Sequence, residues 1–291
     1  MKTLYFYFKI IYLYLTRRFV PHSVIRDDYD DISKSYDECF AQYTAPLLKD
    51  LTKKLGINSQ SHALDLGCGT GAILDELSQH IGEQGRIVGV DASKGMLDKA
   101  RARLKNRKNI EFIQGDISEV LKATEPGSFD FVTCGWVLSY SNPPKLLRLA
   151  SKVLKKKGKI GIIEGKRNTL LPLRNSAIKV MKRYPQHARY LVDASFRLPK
   201  GKDHLTKLFR KAGLKPLELW EGQMVFHFKN AKEAFDWADY TGPSAGFRKA
   251  MKPSKKEECD RAFIKILDED YKTDNGIYIT LAYVCGIAEK I

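Results

Sequence analysis

Apolar and polar positions divide the chain into short, continuously apolar runs that alternate with longer amphipathic ones. Residues 62–67 (HALDLG) form an apolar run closed by glycine, and 72–80 carry helical periodicity. Residues 86–91 (RIVGVD) predict a second strand, and 94–105 a helix with Met96, Leu97, Ala100 and Leu104 on one side. Residues 110–116 and 129–135 predict a third and a fourth strand, 145–154 a helix, and 159–165 (KIGIIEG) a fifth strand. Strands that are apolar at nearly every position are covered on both faces, and strand–helix alternation means parallel pairing. The spacing therefore predicts an α/β fold with helices on both sides of one sheet.

The flanking regions are less regular. Residues 166–200 break the rhythm with Pro172, Pro185 and Pro199 and read as a basic insertion. Beyond it, 203–212 predict a helix closed by Gly213, 217–228 a strand, 231–240 and 255–268 helices, and 276–287 a final strand. Upstream, 46–55 have helical spacing. The run LYFYFKIIYLYL at 4–15 contains one charge, Lys9, and no acid precedes Asp27. It is too short to span a bilayer, which takes about 20 residues. A signal peptide fits poorly, because Arg17 and Arg18 follow the run and no small-residue cleavage site does. Its apolar residues cover every face of a helix. Two readings stay open: an element packed on the domain, or one lying in a membrane interface, where tyrosines and flanking cations are favoured. These shifts divide the chain into an apolar aromatic segment (1–25), a lid with N-terminal helices (26–60), a cofactor-binding core (61–165), the basic insertion (166–200) and C-terminal strands (201–291) that enclose a helical insertion (229–275).

Charge changes this picture more than composition does. The 291 residues are 43% hydrophobic and 29% charged, which excludes wholesale disorder and collagen-like repeats. The formal net charge is +16, and residues 143–216 hold 21 Lys/Arg against three acids. The entire excess therefore lies in one stretch, which forms either a solvated lysine-rich face or an anion-facing one. Cys39, Cys68, Cys134, Cys259 and Cys285 are odd in number, widely spaced and without a CxxC pair. That argues against a disulfide framework and a structural zinc site and for a reducing, cytoplasmic compartment. The histidines also lack metal-ligand spacing.

The strongest local signal is ALDLGCGTG at 63–71, glycines that follow a strand and open a helix. Glycine there lets the backbone turn tightly and approach a ligand. The next strand ends in Asp91, placed as the acid that a nucleoside-binding α/β fold uses for ribose hydroxyls. The glycine spacing is GxGxG rather than the dinucleotide GxGxxG, and Asp65 sits at the strand–loop junction. A carboxylate there repels a pyrophosphate and suits an ammonium group, as in S-adenosylmethionine.

On these residues the sequence resembles the class I S-adenosylmethionine-dependent methyltransferases. LDLGCGTG (64–71) is similar to their first motif, Asp91 in VGVDASKGML to their ribose-binding acid, and QGDI (114–117) to the segment whose Asp contacts the adenine amine. FDFVTCGWVL (129–138) and LLRLASKVLKKKGKIGIIEG (146–165) are similar to the fourth strand and to the helix and strand that follow it. The resemblance implies a Rossmann-like seven-stranded sheet in the order 3-2-1-4-5-7-6, with strand seven antiparallel. It implies S-adenosyl-L-methionine as cofactor, held by Tyr29, Asp65, Gly67, Cys68, Gly69, Gly71, Asp91, Ala92, Met96, Asp116, Ile117 and Cys134. Lys156-Lys157-Gly158 departs from the usual KPGG, at a surface turn. YDDISKSYDECF (29–40) resembles the lid of ubiquinone- and menaquinone-pathway and related small-molecule enzymes, which puts Tyr29 and Tyr36 over the cofactor. The Trp–Arg pair that follows this lid in the quinone enzymes is absent.

Methyl transfer needs alignment first, and a base only where the nucleophile starts protonated. Tyr36, Tyr140 and Glu164 are the catalytic candidates, each with a bland alternative: shielding, packing, or pairing of Glu164 with Lys166 or Arg167. Asn142-Pro143-Pro144 reads as a turn before a helix. The aromatic stretch at 235–251 forms either an acceptor pocket or a small helical core. The acceptor expected from the N-terminus and the basic block is a membrane-associated or amphiphilic small molecule, with an anionic membrane surface as partner and a peripheral place on the inner face. A soluble anionic small molecule is the alternative. Nucleic acid is disfavoured, since no RNA-binding module is present, and a non-catalytic cofactor-binding protein is the reading from another class. The sequence fixes no oligomeric state.

Overall fold

Each apolar run of the central region is a strand, and each amphipathic run between them is a helix. The computed structural model describes residues 2–37, 42–192, 197–242, 245 and 247–291. The strands are β1 (His62–Leu66), β2 (Arg86–Asp91), β3 (Ile110–Gln114), β4 (Phe129–Gly135), β5 (Leu154–Gly165), β6 (Leu214–Phe228), β7 (Lys272–Thr273) and β8 (Gly276–Lys290). They form one sheet in the order β3-β2-β1-β4-β5-β8-β6, with the short β7 paired to β8. β1 to β5 are parallel, and β8 runs antiparallel to both β5 and β6. This is the expected order. β8 fills the place of strand seven, because the two-residue hairpin strand β7 precedes it.

Helices α3 (Gln42–Leu55), α4 (Ala72–Ser78) and α5 (Lys94–Arg103) cover one face, burying Leu51, Leu55, Leu74, Leu77 and Leu97. Helices α6 (Ile117–Ala123), α7 (Pro143–Val153) and α9 (Lys202–Lys211) cover the other, burying Leu121, Leu147 and Phe209 against Val132, Ile160 and Val284. Their starts are written in the local sequence. Ser93 caps α5 by accepting from Met96 N, Asp116 caps α6, and Asn142 caps α7 ahead of Pro143. The Asn-Pro-Pro stretch is thus a helix start.

A third cluster lies outside the two layers. Helices α8 (Leu171–Arg183), α10 (Ala231–Tyr240) and α12 (Lys256–Tyr271) pack on the outer halves of β6 and β8 through Val180, Trp237, Phe263, Phe226 and Ile279, and α1 (Lys2–Leu15) joins the same cluster through Leu13 against α8. The remaining helices are α2 (His22–Ile32) and the short α11 (Phe247–Ala250). The basic insertion therefore contains a helix, α8, which starts at Pro172 in its first turn. Much of the aromatic stretch at 235–251 is helical core, with Trp237 and Met251 buried. β5 begins earlier than expected, because Leu154 pairs with Phe129 across a bulge and Lys157 takes a left-handed φ of 62°. Among the described residues, no helix is long and apolar enough to cross a membrane.

Phe209 is fully buried against Gly286, where an added Cβ would come within 2.9 Å of its ring. Phe209→Ala is expected to lower stability by about 3–5 kcal/mol, read from the midpoint of equilibrium denaturation.

Candidate functional site

The loop between β1 and α4 is built by positive φ angles at Gly67 (71°), Gly69 (53°) and Gly71 (85°). Each glycine answers a different need. A Cβ on Gly67 would come within 2.3 Å of the Val137 side chain, and one on Gly71 within 3.2 Å of the Ala100 backbone. A Cβ on Gly69 would meet nothing within 4 Å, so this glycine borders open space. Gly67 N and Cys68 N donate to Val90 O at 2.8 and 2.9 Å, which ties the loop to the end of β2.

Asp91 ends β2, and its carboxylate is oriented by two main-chain donors, Gly69 N and Ser93 N, both at 2.8 Å. Burial pushes its pKa up; the N–H groups of Ser93, Gly69 and Ala92 oppose that shift, and the neighbouring Asp30 adds to it. Asp65, at the end of β1, is fully buried and accepts from Thr133 Oγ1 at 2.7 Å. Its second oxygen, Oδ2, is buried without a partner. Burial raises its pKa to about 7, with Thr133 opposing and Asp91 reinforcing the shift. A buried carboxylate with one open oxygen, beside a loop that borders open space, fits the ammonium group of S-adenosylmethionine, and the oriented Asp91 fits its ribose.

The other predicted cofactor residues fall at different depths. Ala92 follows Asp91 on the surface, and Asp116 and Ile117 begin α6 next to it, joined by the bond from Gly115 N to Asp91 O at 2.9 Å. Asp116 already spends one oxygen on capping Ser118 N and Glu119 N. The side chains of Cys68, Met96 and Cys134 are buried in the core. Cys39 and the end of the lid segment lie outside the described residues.

Tyr29 on α2 and Tyr140, in the turn after β4, meet hydroxyl to hydroxyl at 3.0 Å with their rings perpendicular. Tyr36 packs edge-on to Tyr29 at 6.3 Å. Burial pushes the phenols of all three upward, Tyr140 to about 12, so they are neutral at physiological pH. Glu164 at the end of β5 is 2% exposed, and its oxygens accept from Gly165 N at 2.8 Å and Ser139 N at 3.4 Å. Burial raises its pKa to about 7 against the opposing main-chain N–H groups. Lys166, one of the two cations the sequence offered Glu164, pairs with Glu221 instead. His187 packs on Tyr184 and His204 accepts from Lys200 N, so both have structural roles.

Several residues here carried no local signal in the sequence. Asp30 accepts from Ser93 Oγ at 2.6 Å and Gly95 N at 2.8 Å, at the start of α5. Asp37 accepts from Thr70 Oγ1 at 2.5 Å and pairs with Arg103 at 2.6 Å. These two acids clasp the lid to the cofactor loop and its neighbouring helix. Lys249 reaches the buried Asp28 at 2.8 Å, and a Cβ on Gly242 would come within 3.1 Å of the Tyr29 ring, so the second insertion packs against α2. Trp136, just past β4, takes a left-handed φ of 60° and donates its N–H to Ile163 O at 2.8 Å. The acid-rich composition of 27–37 was the available hint for the clasp.

Comparison with known proteins agrees with this geometry. Residues 57–213 match a family model described as a methyltransferase domain. A demethylmenaquinone methyltransferase of Lactococcus lactis is 32% identical over 229 residues, covering 70% of this chain and 88% of that protein. A solved structure from Bacillus halodurans, a candidate methyltransferase, superposes with a TM-score of 0.57 at 20% identity, over 84% of this chain and 98% of that one. The cyclase SpnF superposes at 0.54 and 16% identity, over 86% and 81%.

Asp91→Ala is expected to weaken S-adenosylmethionine binding by on the order of 100-fold, the loss of two charge-assisted hydrogen bonds; calorimetry measures it, and normal affinity would remove the ribose assignment. Asp65 must be ionised to hold an ammonium group. Affinity is therefore expected to fall as pH drops through about 7, and a flat profile in Asp65→Asn, measured beside the wild type, assigns the fall to this group.

Proposed function

Because the chain belongs to the class I S-adenosylmethionine-dependent methyltransferases and resembles their menaquinone-pathway members, we propose that its acceptor is an amphiphilic small molecule, quinone-type or lipid-like, met at the cytoplasmic face of a membrane. The observation that supports this reading is the cluster of Tyr29, Tyr36 and Tyr140, with the buried Glu164 carboxyl at Ser139 next to Tyr140. Aromatic walls suit a flat apolar ring, and the Lactococcus relative is named for a quinone substrate.

S-adenosylmethionine supplies an electrophilic methyl group on a sulfonium. In this reading Asp65 holds the ammonium group, Asp91 the ribose, and Ala92, Asp116 and Ile117 flank the adenine. The loop atoms of Gly67, Cys68, Gly69 and Gly71 bring the backbone close, with Met96 and Cys134 packing beneath. Tyr29 and Tyr36 cover the site and exclude water. Of the three candidate bases, Glu164 is the one whose pKa lies near operating pH. It takes the proton that a hydroxyl or carbon acid gives up, while Tyr140, held neutral, donates or accepts a hydrogen bond. The second reading, a soluble anionic acceptor, draws on Arg197, whose guanidinium donates to Ser141 O at 3.1 Å beside Tyr140.

Incubating the protein with methyl-labelled S-adenosylmethionine and cell extract separates the readings. Label in the organic-soluble fraction is expected; label confined to the aqueous small-molecule fraction would favour the anionic acceptor. Label in nucleic acid, or none at all, would overturn both. With the acceptor in hand, kcat is expected to rise with pH through about 7 as Glu164 ionises. Glu164→Gln should lower kcat by on the order of 100-fold or more and abolish that limb, with cofactor affinity unchanged.

A further inference from the structure

Helix α1 is attached to the rest of the molecule along one narrow stripe. Phe6 and Leu13 are buried and Ile10 half-buried against the cluster that contains α8. Below the helix, Val20 N donates to Leu191 O at 3.0 Å and Leu191 N to Arg18 O at 2.8 Å, which pins its far end. The opposite side is ordered in an unusual way. Leu4, Phe8, Ile11 and Leu15 recur at helical spacing and form one line, exposed at 62, 62, 54 and 73%. Tyrosines border that line on both sides at a seven-residue spacing, Tyr5 with Tyr12 and Tyr7 with Tyr14, all about half exposed. An apolar centre edged by tyrosines is the cross-section of a helix lying in a bilayer interface, with the centre among acyl chains and the phenols at headgroup depth.

The charges around the helix select the kind of surface. Lys9 Nζ and the Arg18 guanidinium lie over the Tyr12 ring at 5.5 and 6.0 Å, and Arg17 sits beside Arg18 at the helix end. Lys182 on α8 stands over Phe6 at 5.8 Å. The first acid of the sequence is Asp27. A second copy of this helix would bring these cations against their own kind; an anionic lipid surface complements them. At about 1.5 Å per residue the helix is shorter than the roughly 30 Å hydrocarbon core, so it lies on the membrane and does not cross it.

We infer that α1 is a membrane-docking element, with the Leu4–Phe8–Ile11–Leu15 line inserted into an anionic bilayer and Lys9, Arg17 and Arg18 on its headgroups. The inference takes its purpose from the amphiphilic-acceptor reading and rests on it to that extent. Six residues join α1 to α2, and α2 carries Tyr29, so docking sets the lid end of the site beside the bilayer.

The test is co-flotation of the full chain with phosphatidylglycerol–phosphatidylcholine vesicles and with neutral phosphatidylcholine vesicles. Binding to the anionic vesicles is expected. Phe8→Ser with Ile11→Ser should weaken it by at least about tenfold, and Arg17→Gln with Arg18→Gln by about 30-fold. Both pairs are exposed, so calorimetric S-adenosylmethionine binding should be unchanged and certifies the fold. No flotation of the wild type, or equal flotation of the Phe8/Ile11 variant, would overturn the inference. So would a dimer in solution that the same variant dissociates, since the face then belongs to a second copy. Methylation of an organic-soluble acceptor without vesicle binding removes the docking and keeps the acceptor; vesicle binding with label only in the aqueous fraction does the reverse.

Discussion

Burying the Asp65 carboxylate at the end of β1 costs several kcal/mol unless partners compensate it, and the surrounding architecture is arranged around that cost. One oxygen is satisfied by Thr133 from the neighbouring strand, which requires β1 and β4 to pair in register at that level. The other oxygen is left open. Above it the chain must leave the strand and turn at once into α4, and the three left-handed glycines make that turn while leaving no side chain in the opening. Val137 fills the space that a Cβ at Gly67 would take, so the turn after β4 and the loop after β1 fix each other. In the reading proposed above, this is a site for a cation fixed before the ligand arrives, which is what electrostatic preorganisation means for binding as much as for catalysis.

The lid depends on the same end of the sheet. Asp30 accepts from the first turn of α5, where the helix dipole favours an anion. Asp37 joins Thr70 of the glycine loop to Arg103 at the end of α5. Each of these contacts is partly exposed, so each contributes on the order of 1 kcal/mol and not more. These are bonds of the strength expected of partly exposed polar contacts, weaker than a buried hydrophobic seam. Lys249 on Asp28 ties the second insertion to the same N-terminal segment.

How much of this the sequence discloses follows from the range of each interaction. The strand–loop–helix–strand unit around Asp65 and Asp91 is legible, because its glycines, apolar runs and acid are local. The order of the sheet is legible through resemblance. The clasp is not, because Asp37 finds its partners 33 and 66 residues away, and composition alone cannot distinguish a clasp from a solvated acidic face. Helix α8 is hidden by prolines that in fact begin and follow it. The form of α1 is hidden for the opposite reason: apolar residues on every face leave the period undefined, and tertiary contact with α8 decides which stripe is buried. Gly242 over Tyr29 joins two segments far apart in the chain, which no window of sequence can show.

The basic block shows why charge has to be located before it is interpreted. Lys145, Arg148 and Lys152 on α7 and Lys207, Arg210 and Lys211 on α9 face solvent from neighbouring helices, while the apolar sides of those helices cover the sheet. These six of the 21 basic residues in 143–216 form a cationic flank of the fold. Arg197 is different, because its guanidinium reaches the turn that carries Tyr140. The fold itself is neutral on the choice of acceptor, since the cyclase SpnF shares it. The two proposed readings therefore rest on a few side chains, the neutral phenols and buried carboxyl for the amphiphilic acceptor and the Arg197 guanidinium for the anionic one.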